Sequence, residues 1–154
     1  MSPRFSLRIE GTPAGHTVYV QGSVTELADF SPLRDLSGAV TVDAGGVERF
    51  NSVGVQKWVA AIQALSARTT RLDFINATDV LLSQSTVIRG FLGRGIVRTI
   101  LARHECPNCG HSLSVRFERS ADFPDGEIKN RTAPRCEKCG EQMMLDDALY
   151  LTAL

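Results

Sequence analysis

The chain has 154 residues, of which 43% are hydrophobic and 22% charged, and its 17 basic residues balance its 17 acidic ones. That composition belongs to globular proteins and excludes wholesale disorder. A formal net charge of zero argues against indiscriminate nucleic-acid binding, which needs a basic surface. No apolar run approaches the roughly 18–20 residues that cross a bilayer, so no membrane is expected as a partner. The opening MSPRFSLRIEG alternates polar and apolar residues and has no signal-peptide core. All four cysteines lie beyond residue 105, in two C-x-x-C pairs, whereas a secreted disulfide framework scatters them. The expected address is the cytoplasm.

In chain order, Arg4 to Glu10 puts Phe5, Leu7 and Ile9 on one side, the period of a half-buried strand. A GTPAG turn follows, and then Thr17 to Val20, β-branched and aromatic. Together they predict an opening hairpin. Ser23 and Glu26 have capping-box spacing and predict a helix start, with Leu27, Phe30 and Leu33 as its apolar stripe and Ser31-Pro32 breaking it. Ala39 to Val42 reads as a short strand ended by Asp43, and Asp43 to Val47 as a glycine-bearing loop. From Ser52, the apolar Val55, Trp58, Val59, Ile62 and Leu65 recur at helical spacing. Arg71 to Ala77 alternates as a strand, and Thr78 or Asp79 caps a helix that runs to Gly93-Arg94-Gly95. Ile96 to Ala102 is strand-like and leads into the first cysteine pair.

The predicted order is therefore β-β-α-β-α-β-α-β, an α/β class with a mixed, mostly parallel sheet and crossover helices. No G-x-G-x-x-G or Walker motif is present, so there is no ordinary nucleotide fingerprint.

Three stretches carry a resemblance: the strand VTVDAGGVERF, the loop-to-helix NSVG at 51–54, and RLDFINATDVLLSQSTVIRGFLG. Over residues 4–101 the chain resembles the STAS domain, the fold of sulfate transporters and anti-sigma-factor antagonists. Asn51 stands where that family usually has an acidic residue, Ser52 at its often-phosphorylated serine, Val53 at its second hydroxyl residue, and Gly54 at its glycine. The resemblance implies a protein partner, an anti-sigma-type kinase or another STAS protein, whose binding responds to phosphate on Ser52. A phosphate at a helix N-terminus would meet unpaired amides and change any surface docked there. The residues alone also read as a simple N-cap at Asn51 or Ser52, the reading that cap frequencies favour.

Cys106-Pro-Asn-Cys109-Gly and Cys136-Glu-Lys-Cys139-Gly are two knuckles whose glycines permit the left-handed turn that points amides at sulfur. Four thiolates make a closed tetrahedral set that suits structural Zn2+. His111 to Phe117 alternates as a strand between them, Gln142 to Leu145 is a candidate second strand, and Phe123-Pro124-Asp125-Gly126 reads as a turn. The module resembles a zinc ribbon, so the expected division is 1–101 and 102–154. The alternatives are a redox dithiol and an iron–sulfur site; a redox dithiol needs one pair at a helix start rather than two such pairs. His104 and His111 flank the first knuckle, but four cysteines complete the set without them.

From 102 to 154 seven basic residues face nine acidic ones, which makes nucleic acid an unfavoured partner for the ribbon. Arg89, Arg94, Arg98 and Arg103 form a loose basic series, of which Arg89, Arg94 and Arg98 are the candidates for an anion or partner contact. His16, His104 and His111 lie in a turn or beside the knuckles. With the cysteines committed to metal, no nucleophile–base pair remains and no enzyme is expected. The expectation is a non-enzymatic regulatory or scaffolding protein. A nucleic-acid-binding ribbon protein and a small-ligand sensor are the alternatives.

Overall fold

A computed structural model describes residues 4–122, 133–145 and 149–150. A mixed five-stranded sheet holds β1 (Ser6–Thr12), β2 (Gly15–Val24), β3 (Gly38–Phe50), β4 (Thr69–Ile75) and β5 (Ile96–Val97) in the spatial order of the sequence. The β1–β2 hairpin is antiparallel, and each later neighbour is parallel to the one before. Helices α1 (Ser52–Arg68) and α2 (Asp79–Val87) connect β3 to β4 and β4 to β5. Along the strands Val18, Val20, Val40, Val42, Leu72 and Phe74 are buried, while the alternate positions Thr17, Tyr19, Thr41 and Asp43 are half-buried and polar. That is the period-two division of a sheet with one face on the core.

Trp58 of α1 is the centre of that core. Its ring lies 5.6 Å from Phe91 in a stack, 5.6 Å from Phe50 and 6.0 Å from Phe30 edge-on, and 6.3 Å from Phe74. Its indole N–H donates to the Phe91 carbonyl at 2.8 Å, so the one polar atom of a fully buried side chain is satisfied.

The connection from β2 to β3 differs from its sequence reading. Ser23 does not cap a helix: it is buried inside β2, which continues to Val24 and pairs Ser23 with Arg49 and Val24 with Phe50. Only a 3-10 turn forms, over Ser31–Leu33, with Pro32 in its first turn. Strand pairing over a long partner outweighs a local capping signal. The glycine segment at 43–47 is likewise strand rather than loop: β3 runs through Phe50, with its register against β2 shifted between Asp43 and Gly46 and again between Val47 and Arg49. A Cβ on Gly46 would lie 2.6 Å from Gln21 Cγ, so glycine here lets two backbones approach.

α2 ends at Val87 instead of reaching Gly93, because Phe91 is drawn out of the helical path into the stack on Trp58. Gly90 takes a positive φ of 77° in that exit. The expected strand 96–102 divides at Arg98: β5 joins the first sheet, and β6 (Thr99–Glu105) opens a second one. In that three-stranded antiparallel sheet β6 lies between β7 (Ser112–Glu118) and β8 (Met144–Leu145). The four-residue helix α3 (Arg119–Asp122) follows β7. The turn expected at 123–126 lies outside the described residues.

The sheets share packing. Ile100, Ala102 and Phe117 belong to the same buried cluster as Trp58, and Ala77 bridges Ile100. A second, small cluster holds Cys106, Cys136 and Met143, with Leu113 against it.

Candidate functional site

Each cysteine knuckle is built by the same pair of backbone bonds. In the first, Cys106 N–H donates to the His111 carbonyl at 2.8 Å and Gly110 N–H to the Cys106 carbonyl at 3.0 Å. In the second, Cys136 N–H donates to Glu141 at 2.8 Å and Gly140 N–H to Cys136 at 2.9 Å. Gly110 and Gly140 have φ of 78° and 79°, the left-handed conformation that closes such a turn without a Cβ penalty. Amides then point at sulfur: Cys109 N–H lies 3.5 Å from Cys106 Sγ, and Lys138 N–H lies 3.4 Å from Cys136 Sγ.

The four Sγ atoms lie within 4.8 Å of one another, with Cys106–Cys139 at 3.3 Å and Cys109–Cys136 at 3.5 Å. These separations are too long for disulfides. They bracket the roughly 3.8 Å edge of a tetrahedron built on metal–sulfur bonds of about 2.3 Å. Four soft donors in that arrangement could hold a metal ion. Cys106 and Cys136 are buried beside Met143, while Cys109 and Cys139 face outward.

The thiols are unlike one another. The Glu141 backbone amide, then Asn108 and the Cys106 sulfur, lower Cys139 from 9.0 to about 6. At Cys109 the His111 amide lowers the value. Hydrogen bonding to Cys136, some loss of hydration and contacts with Cys106 and Cys139 outweigh it, pushing Cys109 up to about 11. Neither flanking histidine joins the sulfurs. His104 is buried and its Nδ1 donates to the Ala102 carbonyl at 3.1 Å, with its ring edge-on to Phe117. His111 contributes its backbone carbonyl.

The second candidate region is the β3–α1 junction. Asn51 is the N-cap: its Oδ1 accepts from Gly54 N–H at 2.7 Å. Its Nδ2 donates to Glu26 Oε2 at 2.7 Å. Lys57 donates to the carbonyls of Glu26 and Ala28 at 2.6 and 3.0 Å, so α1 holds the β2–β3 connection through two side chains. Gly54 is buried against the Val24 carbonyl, which a Cβ would approach to 1.8 Å. Ser52 is the exposed first residue of α1. Two apolar side chains stand beside this junction in solvent, Leu27 at 82% and Val53 at 44% exposure.

The arginine series does not act as one group. Arg98 pairs with the buried Asp73 at 3.1 Å, and Arg71 takes the other carboxylate oxygen at 2.7 Å. Arg89 and Arg94 are exposed and make no ion pair among the described residues.

Sequence reasoning missed the Glu26–Asn51 bond, because Glu26 had a local role assigned to it. It also missed Asn76, whose φ of 53° is the one positive value among described non-glycine residues. Asn76 Nδ2 donates to Asp43 at 3.0 Å and its N–H donates to Thr99 Oγ1 at 2.7 Å, tying β4 to β3 and to the second sheet. No helix among the described residues is long and apolar enough to cross a membrane. Compared with known proteins, the chain matches no family model, no curated protein and no solved structure.

Proposed function

We propose that this chain is a non-enzymatic regulatory or scaffolding protein, stabilised by one zinc ion, that binds a partner protein at the β3–α1 junction of a STAS-like sheet. The observation that carries the reading is the exposed Ser52 at the start of a 17-residue helix, flanked by Leu27 and Val53 in solvent. Exposed apolar side chains around a polar centre suit protein contact better than catalysis. The antiparallel β1, followed by strands parallel in sequence order, is compatible with the resemblance seen in the sequence.

Zinc is the metal we assign, because four thiolates and no further ligand favour a closed tetrahedral d10 ion. When bound, it would hold Cys106, Cys109, Cys136 and Cys139 as a structural cross-link. The residues that position the sulfurs are the two glycine turns and the amides of Cys109 and Lys138.

Phosphate on Ser52 is the switch in this reading. It would gain the first amides of α1 and repel the Glu26 carboxylate held at Asn51. The Glu26–Asn51 bond would loosen, and with it the segment that presents Leu27. The partner would be a serine kinase of the anti-sigma type or another STAS protein, in the cytoplasm.

Affinity capture from native lysate with wild type, Ser52→Asp and Leu27→Ser tests this. The expected result is one protein retained by wild type and lost from both variants. Identical captures by all three, together with no phosphate on the Ser52 peptide under any growth condition, would overturn the reading.

A further inference from the structure

Among the described residues β1 is an edge strand, paired on one side only. It pairs with β2 over its whole length, Ser6 to Thr12, without a bulge. Among the described residues no strand pairs with its other side. No proline interrupts it, and straight unbulged edges are the ones that accept another strand. Within the strand its protective device is charge, and that charge has opposite signs: the side chains of Arg8 and Glu10 are 62% and 48% exposed.

We propose that this edge is the interface for a second copy of the chain, joined antiparallel about a two-fold axis at Ile9. Ile9 is the midpoint of Ser6–Thr12, so this register overlaps all seven residues of the strand. It places Arg8 opposite Glu10 of the second copy, and Glu10 opposite Arg8 of the second copy. Both cross-seam pairs are then attractive. Sliding by two residues one way sets Arg8 against Arg8, and the other way sets Glu10 against Glu10; directly opposed like charges are unfavourable. A slide by one residue puts the apolar Leu7 and Ile9 row against the charged row. The charge pattern therefore selects one register and rejects its neighbours.

The side-chain setting agrees. Arg8 lies over the Tyr19 ring at 4.2 Å and is hydrogen-bonded to Glu10 within the strand, so both charges are already ordered on one face of the sheet. On the other face Leu7 and Ile9 are partly buried against the core, and the seam would extend that cover, with Ile9 against Ile9. The product is a continuous ten-stranded sheet, a closed isologous pair rather than an open filament.

The test uses charge reversal in the full chain. In Arg8→Glu the seam meets four carboxylates, and in Glu10→Arg it meets four guanidinium groups. Each variant alone should dissociate, with a dissociation constant raised by roughly tenfold or more. Mixed in equal amounts, the two variants are complementary at every position and should form mixed dimers, visible by native mass spectrometry. Wild type should sediment at twice 16.8 kDa, and its β1 amides should gain hydrogen-exchange protection as concentration rises. Wild type that stays monomeric, with unchanged β1 protection, would overturn the proposal. So would single variants that remain dimeric, or folded variants that do not combine.

Discussion

The Asn51 carboxamide bridges two elements that the sequence separates by 25 positions: it caps α1 through Gly54 N–H and holds the Glu26 carboxylate, each at 2.7 Å. The side chain needs both a donor and an acceptor to do this, which aspartate does not supply. Asparagine rather than aspartate at this cap therefore has a local physical reason in this chain.

Asn51→Asp should keep the cap but set two carboxylates against each other, lowering stability in denaturant titrations. Glu26→Gln in the same chain should restore it. Asn51→Ala should cost about 1 kcal/mol through loss of the cap. The Asn51 side chain, followed by a backbone bond, lowers the Glu26 pKa below 4.5. Its stabilising contribution is therefore present above that value and lost as pH falls through the lower, folded one. The wild-type advantage over Asn51→Ala should shrink on acidification through that window.

Gly54→Ala should be far more damaging than an ordinary helix substitution. Alanine favours helices, yet its Cβ would sit 1.8 Å from the Val24 carbonyl oxygen, a backbone atom. We expect a loss of about 3 kcal/mol or more, the upper range of overpacking, read as a shifted midpoint in urea. An unchanged midpoint would mean that α1 does not lie this close to the end of β2.

Metal removal should open the knuckles and leave the main core. The tip is held by a small cluster around Met143, whereas Ile100, Ala102 and Phe117 are anchored beside Trp58. Hydrogen exchange after chelation should accelerate at 106–112 and 136–143 while 99–102 stays protected. Collapse of protection throughout β1 to β5 would show that the metal supports the whole molecule.

Metal affinity should fall with pH, because protons compete for sulfur. Cys109, pushed up to about 11, must release a proton to bind metal at neutral pH, whereas Cys139, lowered to about 6, is already mostly thiolate. The decline should steepen below about pH 6, where Cys139 also protonates. Competition against a chromogenic chelator across pH 8 to 5 checks this; a flat profile would contradict it.

Local pattern made much of this fold legible. The period of α1 and the apolar alternation of β1 and β4 are properties of a few adjacent residues: α1 starts at Ser52 as its spacing predicts, and β1 and β4 lie within two residues of their expected bounds. The cysteine cluster was legible for the same reason, since each knuckle is closed by bonds within six residues, Cys106 to His111 and Cys136 to Glu141. What the sequence hid depends on distant partners. Ser23 and Glu26 imitate a capping box, but pairing with Arg49 and Phe50 extends the strand instead. Gly45-Gly46 imitates a turn, but Gln21 lies alongside. Arg98 belonged on paper to a basic series, and Asp73 claims it from another strand.

The structural half of the proposal is that the four clustered sulfurs hold one zinc ion. The most direct measurement is the metal content of protein purified from its native cells, by elemental mass spectrometry, for wild type and Cys106→Ser/Cys136→Ser. The account requires one zinc per wild-type chain and none in the double variant. A wild-type chain that carries iron or no metal, or a double variant that retains zinc, would contradict it.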